Sequence, residues 1–285
     1  MRHSLSSAIA IACILACASG IANAQTLDGS RDFPAKPVRI IVPYPPGGLG
    51  DIFPRALANG LADLIAQPVI VDNRPGASQM IGAQLAAKAA PDGYTLFFGS
   101  VTSLAINVTA QKNLPYDPLK DFTPVTFCFS TPLYLVTSLT LPATSVKELI
   151  ALAKARPAGL TFASGGPGSS THLAAELFRS LAGVNLVHVP YKGSAPAMTD
   201  VMAGHVDMMF EGGGVNYVRD GKVRGLAVTS LKRSMSAPAL PTMNESGVPG
   251  YEAAIWFGIV APAATPRAIV ARLATDIGTV LNQPQ

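Results

Sequence analysis

Short β-branched runs alternate along the chain with segments that have the apolar spacing of helices. From the N-terminal side, the pattern predicts strands at residues 38–42, 68–71 and 94–98 and helices at residues 52–65 and 81–90. Turn residues such as PDG separate these segments. Strands that alternate with helices across short loops form βαβ units, so the pattern predicts an α/β fold with mostly parallel sheets.

The second half of the chain continues the alternation. Residues 146–155 have the spacing of an amphipathic helix, and Thr144 or Ser145 is placed to cap its N-terminus. The remaining predicted elements are strands at residues 160–163, 185–189, 206–210 and 223–228 and helices at residues 172–181, 195–203 and 266–281. The α/β pattern therefore extends through the whole chain after its first 32 residues.

Gly-rich loops follow several of these strands. They are PPGG at residues 45–48, GS at 99–100, SGGPGSS at 164–170 and YKGS at 191–194. In open parallel sheets, ligands bind beyond the C-terminal ends of the strands. Glycine lets a ligand approach the backbone, and the following helix offers free N–H groups and a positive dipole end. We expect a small anion held by backbone amides and hydroxyl groups.

The loop at residues 164–170 lies between a predicted strand and a predicted helix, which favours a ligand loop over a flexible connector. It is not a Walker A loop, because no lysine precedes Ser169 and Ser170. The loop at residues 43–51 is the second candidate. Asp51 is expected to cap or orient that loop rather than to meet an anion directly. Pro54 is expected in the first turn of the helix that follows.

Composition narrows the class of protein. Of 285 residues, 49% are apolar and 13% are charged, which excludes a wholly disordered chain. The net charge of +4 is small and dispersed, so no nucleic acid partner is expected.

Residues 1–24 have the form of a secretory signal peptide. Arg2 supplies a positive start, residues 8–18 are apolar, and the sequence ANA before Gln25 predicts cleavage after Ala24. Export to the periplasm is therefore expected. The alternative is a lipoprotein, because ILAC at residues 14–17 resembles a degenerate lipoprotein box.

Cys128 is the remaining cysteine if cleavage follows Ala24, so no internal disulfide is expected. It lies in the apolar run at residues 125–129, which predicts a buried, unreactive thiol.

Catalysis is the alternative use of the loop at residues 164–170, with Ser169 or Ser170 as nucleophile and His172 as base. No acidic residue is placed to orient His172, and no Gly-x-Ser-x-Gly motif occurs, so capping or ligand contact is favoured. His172, His188 and His205 belong to separate elements, and no metal site is expected.

Two charged residues lie at predicted strand ends. Lys192 could pair with an anionic ligand or be solvated. Glu211 could receive an ammonium or hydroxyl group of the ligand or cap the next turn.

The sequence FPAKPVRIIVPYPPGG at residues 33–48, followed by Asp51, closely resembles the opening of Bug-type receptors. These proteins are the periplasmic solute-binding components of tripartite tricarboxylate transporters. Further matching segments are NRPGA at residues 73–77, APDGYTL at 90–96, LPYDP at 114–118, HL at 172–173, VHVPYKG at 187–193, GHVD at 204–207 and WFG at 256–258. The resemblance spans nearly all of the chain after the leader.

This resemblance implies a two-lobed, type II periplasmic binding protein of the Venus-flytrap kind, each lobe a mixed, mostly parallel sheet flanked by helices. Lobe one is expected at residues 25–131 plus 231–285, and lobe two at residues 132–230. Family members bind small carboxylates between the lobes, and closure presents a surface to two membrane transport subunits. Some receptors of this kind lack dedicated membrane subunits. A non-enzymatic monomer without a cofactor is implied; an exported hydrolase and a ligand sensor for a membrane signalling protein are the alternatives.

By position, the resemblance maps the carboxylate grip onto the two candidate loops, with Tyr44 as an aromatic wall. The residues expected to contact the ligand are Tyr44, Pro46, Gly47, Gly48, Gly50, Asp51, Ser100, Ser164, Gly165, Gly168, Ser169, Ser170, His172, Tyr191 and Glu211.

The chain departs from the family pattern at three places. Many members have Ser or Thr where Leu49 and Gly50 stand, and most have Asp-Asn where this chain has Glu211 and Gly212. Members generally continue beyond the helix at residues 266–281, so a shortened and less stable lobe one is expected.

Overall fold

Two five-stranded sheets organise residues 33–283, which are the residues that the computed structural model describes. The strands of the first sheet, in spatial order, are β2 (Val69–Asn73), β1 (Val38–Val42), β3 (Thr95–Ser100), β10 (Ala254–Pro262) and β4 (Phe122–Pro132). β1 pairs in parallel with β2 and β3, whereas β10 pairs antiparallel with β3 and β4. Four of the five residues of β1 are fully buried, as expected for a parallel strand covered on both faces.

The second sheet repeats this plan. Its spatial order is β7 (Leu186–Pro190), β6 (Leu160–Ser164), β8 (Met208–Glu211), β5 (Tyr134–Thr137) and β9 (Arg224–Val228). β6 pairs in parallel with β7 and β8, and β5 pairs antiparallel with β8 and β9. The chain passes from the first sheet to the second between β4 and β5, and it returns between β9 and β10.

Helices flank both sheets. They are α1 (Leu49–Ile65), α2 (Met80–Ala87), α3 (Asn107–Ala110), α4 (Val146–Ala155), α5 (Ser170–Ala182), α6 (Ser194–Ala203), α7 (Gly214–Arg219) and α8 (Arg267–Leu281). α4 has the predicted limits, and its cap is Ser145, whose hydroxyl accepts from the Glu148 N–H. Helices α1 and α8 pack closely at Gly60, where glycine leaves room for Val280. A Cβ at this position would lie 2.7 Å from the Val280 side chain.

The two sheets with their helices confirm the predicted two-lobed α/β class. The prediction that Pro54 lies in the first turn of its helix is wrong. The helix begins at Leu49, three residues earlier than predicted, because Gly48 has extended backbone and serves as the N-cap residue. Pro54 therefore lies at the sixth position, in the second turn, where a proline has no N–H to donate to the carbonyl group four residues earlier.

The predicted signal peptide, the lipoprotein alternative at Cys17 and the cleavage site at Ala24 lie outside the described residues. Within residues 33–283, no helix combines the length and the apolar character needed to cross a bilayer. Cys128 is a half-buried free thiol in β4. Burial raises the pKa of its thiol to about 12, which keeps it protonated and agrees with the predicted low reactivity.

Candidate functional site

A cavity lies between loops that follow strands of the two sheets. It encloses about 630 Å³, counting its opening to solvent. Its lining residues are Pro43, Tyr44, Pro45, Gly48, Leu49, Gly50, Ser78, Gln79, Gly165, Ser169, Ser170, Thr171, Lys192, Gly193, Ser194, Ala195, Glu211, Ile255 and Phe257. Both sheets therefore contribute to one site.

Three helix N-termini border this cavity. α1 contributes Leu49 and Gly50, α5 contributes Ser170, and α6 contributes Ser194 and Ala195. The first N–H groups of a helix have no partner within it, and each N-terminus carries about half a positive charge. At α5 the Ser170 N–H donates to the Thr102 hydroxyl and the His172 N–H to the Ser169 hydroxyl, so α5 offers an anion mainly its positive dipole end. Positive helix ends from both lobes therefore face the cavity.

Asp51 holds the loop that leads into α1. Its Oδ2 accepts from the Gly47 N–H at 3.0 Å, its Oδ1 accepts from the Asn73 amide at 2.7 Å, and Arg55 donates to both oxygens. Burial would raise the pKa of Asp51, but the hydrogen bonds from Arg55, Asn73 and Gly47 outweigh it and lower that pKa. The prediction that Asp51 orients this loop is confirmed.

Tyr44 forms one wall of the cavity and is held from behind. The Ser100 hydroxyl donates to Gln79 Oε1 at 2.8 Å, and the Gln79 amide donates to the Tyr44 hydroxyl at 2.7 Å. A Cβ on Gly50 would lie 2.5 Å from the Tyr44 ring, so glycine is needed there for the ring to pack. Burial raises the pKa of Tyr44, and the phenol stays neutral.

Ser78 and Gln79 lie in a backbone segment that sequence reasoning missed. Ala77, Ser78 and Gln79 have φ values of 47°, 49° and 74°, which are uncommon for residues with side chains. Two hydrogen bonds hold Ser78 in this conformation. The Ser78 hydroxyl donates to the Pro167 carbonyl at 2.6 Å, and the Asn107 side-chain amide donates to the Ser78 carbonyl at 2.9 Å. Left-handed backbone at non-glycine residues has no sequence signal comparable to that of glycine.

The loop at residues 164–170 is fixed by hydrogen bonds to side chains. Ser164 is fully buried, and its hydroxyl lies 2.6 Å from His188 Nε2. The Gly168 N–H donates to His172 Nδ1 at 3.1 Å, and the Ser169 hydroxyl accepts from the His172 N–H at 3.3 Å. These contacts orient the loop and cap α5, which is the capping role that the sequence favoured for these residues.

The two histidines behind this loop are stacked. The rings of His172 and His188 lie 4.1 Å apart, and burial together with the neighbouring ring lowers the pKa of His188 to about 4. The Ser169 hydroxyl meets the backbone of His172 and not its ring. Ser169 is therefore not placed as a nucleophile against the ring of His172. Ser164 contacts the His188 ring, but it is buried away from any substrate.

Glu211 ends β8 and is buried, with 5% of its surface exposed. Its Oε1 accepts from the Gly213 N–H at 3.3 Å, and Ser194 provides a further hydrogen bond to the carboxyl group. Its Oε2 has no hydrogen-bond partner among the described residues. Burial raises the pKa of Glu211.

The structure brings part of the predicted set together. Seven predicted residues line the cavity, namely Tyr44, Gly48, Gly50, Gly165, Ser169, Ser170 and Glu211. Eight do not line it, namely Pro46, Gly47, Asp51, Ser100, Ser164, Gly168, His172 and Tyr191. Most of these support the lining; the Tyr191 hydroxyl, for example, donates to Asp200 in α6 at 2.5 Å. Ser78, Gln79, Thr171, Ser194, Ala195, Ile255 and Phe257 line the cavity and were not expected.

Comparison with known proteins identifies the family. The family model for the tripartite tricarboxylate transporter family receptor matches residues 53–285. The chain belongs to this receptor family. Protein BugT of Bordetella pertussis is 40% identical over 277 residues, which cover 96% of this chain and 84% of BugT.

Solved structures of related receptors share the fold. Rpa4515 of R. palustris, solved with adipate, has a TM-score of 0.86 and 39% identity, covering 88% of this chain and 85% of that one. MatC of Rhodopseudomonas palustris, solved with bound malate, has a TM-score of 0.84 and 32% identity. The match covers 88% of this chain and 86% of MatC. The family resemblance and the predicted binding-protein fold are thus confirmed. Within residues 33–283, no three His, Cys, Asp or Glu side chains gather as a metal site.

Proposed function

We propose that this receptor captures a small carboxylate in the cavity between its lobes and delivers it to membrane subunits of a tripartite tricarboxylate transporter. The observation that carries the proposal is the convergence of three helix N-termini from both lobes on one cavity. The adipate and malate bound by two related receptors support the same ligand class. The receptor acts without catalysis, as a monomer in the periplasm, after signal peptide cleavage at Ala24.

Contacts across the cavity support closure of the lobes on the ligand. The proposed lobe one comprises residues 25–131 plus 231–285, and the proposed lobe two comprises residues 132–230. Between them, Ser78 donates to the Pro167 carbonyl at 2.6 Å, and the Ser170 N–H donates to the Thr102 hydroxyl at 3.1 Å. Each contact ties a residue that lines the cavity to the other lobe, so closure would bury the ligand between the lobes.

A thermal-shift screen tests the ligand class. The purified protein is melted with a panel of dicarboxylates, tricarboxylates and aromatic acids, and with the neutral diamides of the same acids as matched controls. A ligand at about 100 times its Kd stabilises the folded state by about 2.7 kcal/mol, which raises the Tm by about 5–10 °C for a chain of this size. We expect at least one acid to give this shift and its diamide to give none. Equal shifts from an acid and its diamide, or no shift from any acid, would contradict the proposal.

A further inference from the structure

The carboxyl group of Glu211 supports an inference about the ligand, which rests on the proposed function. Glu211 lines the cavity but is only 5% exposed, and its two hydrogen-bond partners, Gly213 and Ser194, are neutral. Its Oε2 is buried and unpaired among residues 33–283. Buried polar atoms are nearly always hydrogen-bonded, so an unpaired carboxylate oxygen in a binding cavity points to a group that the ligand supplies.

An anionic ligand makes this need stronger. A carboxylate at the N-termini of α1, α5 and α6 would share the cavity with Glu211, and two negative charges in a poorly solvated site repel each other. Two arrangements relieve the repulsion. Either Glu211 takes up a proton, or the ligand carries a hydrogen-bond donor that meets Oε2.

We propose that the bound carboxylate carries an N–H or O–H group that donates to Oε2 of Glu211, so that the cavity prefers amino- or hydroxy-substituted acids to their unsubstituted parents. A donor from the ligand stabilises the ionised carboxylate against the burial that raises the pKa of Glu211. The Gly213 N–H and the Ser194 hydrogen bond hold the carboxyl group in place as an acceptor.

Glu211 also lines a second cavity, which shares Gly48, Leu49, Ser194 and Ala195 with the first. The N-terminal residues of α1 and α6 border both cavities, so Glu211 lies beside helix N-termini on whichever side the ligand approaches.

Calorimetric titration of the purified protein with matched acids tests this inference. Succinate, malate and aspartate share one skeleton and differ at one carbon by H, OH or NH₃⁺. The matched glutarate and adipate series extend the skeleton by one and two carbons. For at least one chain length, we expect the hydroxy or amino acid to bind at least tenfold more tightly than the unsubstituted acid.

Two variants assign that preference. Glu211→Gln keeps the shape of the side chain but removes its charge, and we expect it to reduce the preference for an amino acid to less than threefold. It should reduce a preference for a hydroxy acid less, because a hydroxyl group pairs with an amide as well. Glu252→Gln is the matched control, because it makes the same change at an exposed residue that lines neither cavity. It should leave the preference unchanged.

The outcomes are distinct. Equal affinity for substituted and unsubstituted acids at every chain length overturns the role of Glu211 but leaves the proposed function standing. An unchanged preference for the amino acid in Glu211→Gln also overturns it, and so does an equal affinity of this variant and the wild-type protein for the unsubstituted acid, which would indicate a protonated Glu211. If no carboxylate binds, the proposed function fails and this inference fails with it.

Discussion

Substitution of Gly193 by alanine should hold the two lobes apart. Gly193 precedes α6 with a φ of +153°, and a Cβ there would lie 2.3 Å from Cδ and 2.7 Å from Cγ of Pro45, in the loop after β1. Carbon atoms pack at about 3.5–4.0 Å, so the loops must separate by roughly 1 Å. The proline ring is rigid and cannot turn aside. The cost therefore falls mainly on the closed form that binds the ligand.

The magnitude follows from this collision. Forcing an extra methyl group into a packed contact costs about 1–3 kcal/mol, which corresponds to a roughly 5- to 150-fold higher Kd. Calorimetry with an acid from the thermal-shift screen measures the Kd, and small-angle X-ray scattering with that acid at saturation measures the separation of the lobes. We expect weaker binding and a larger radius of gyration than for the wild-type complex.

Gly183→Ala is the matched control for backbone strain. Gly183 caps the C-terminal end of α5 with a φ of +60°, and nothing lies within 4 Å of its Cβ position. It should lose some stability, because alanine disfavours positive φ, but its Kd should stay unchanged. If Gly193→Ala binds the acid within twofold of the wild-type protein, contact between Gly193 and Pro45 is not required for closure and the reasoning is refuted.

Three further predictions concern the loops around the cavity. Asp51→Ala removes the acceptor of the Gly47, Asn73 and Arg55 donors. Because the charged hydrogen bonds from Gly47 and Asn73 contribute about 1.5–3 kcal/mol each, urea unfolding should show a loss of about 3–6 kcal/mol. Asp63→Ala on the exposed side of α1 should show almost none, and equal losses would contradict the role of Asp51. Because the pKa of His188 is lowered in the folded protein, the unfolded chain binds a proton more readily. The free energy of unfolding should therefore have its full value above about pH 6.5 and fall by about 1–2 kcal/mol toward pH 4, allowing for the partial exposure of His188. His188→Gln should reduce this fall in urea titrations, the remainder coming from His172, whose pKa burial also lowers, and exposed His205→Gln should leave the fall unchanged. An equal fall in both variants would contradict the assignment to His188. Gly50→Ala should displace the Tyr44 ring, and a shift of that ring costs about 1–3 kcal/mol. Calorimetry should therefore show acid binding weakened about tenfold. An unchanged affinity would mean that Tyr44 does not form a wall of the ligand site.

Local patterns predicted the elements whose shape depends on local sequence. β1 and α4 have the predicted limits, because a β-branched run and a capped amphipathic spacing are complete within five and ten residues. β4, β5 and β10 were not predicted. β4 contains Pro124 and pairs with β10 through two register shifts, whereas β5 has only four residues, all buried. Partners far along the chain, rather than local alternation, define these three strands.

In the candidate site, too, features set by local sequence could be predicted and features set by distant contacts could not. The Gly-rich loops after β1 and β6 could be predicted, because a strand, a glycine loop and a helix start follow one another in sequence. Ser100 and Ser164 were expected in the lining but lie behind it, hydrogen-bonded to Gln79 and His188. A polar residue at a strand end can face the ligand or support a neighbour, and the sequence does not distinguish the two. Ser78 was missed because Pro167, 89 residues further on, holds it in place.

The place of β10 has a consequence for the order in which the lobes are completed. All five strands of the second sheet lie within residues 134–228, so that sheet can assemble as soon as this stretch has been synthesised. The first sheet has a gap between β3 and β4 until residues 254–262 arrive and fill it. Pairing across such a long separation in sequence is slow, because the chain must close a large loop before the contacts form. Lobe two should therefore mature first, while the open edges of β3 and β4 await the last strand to be made.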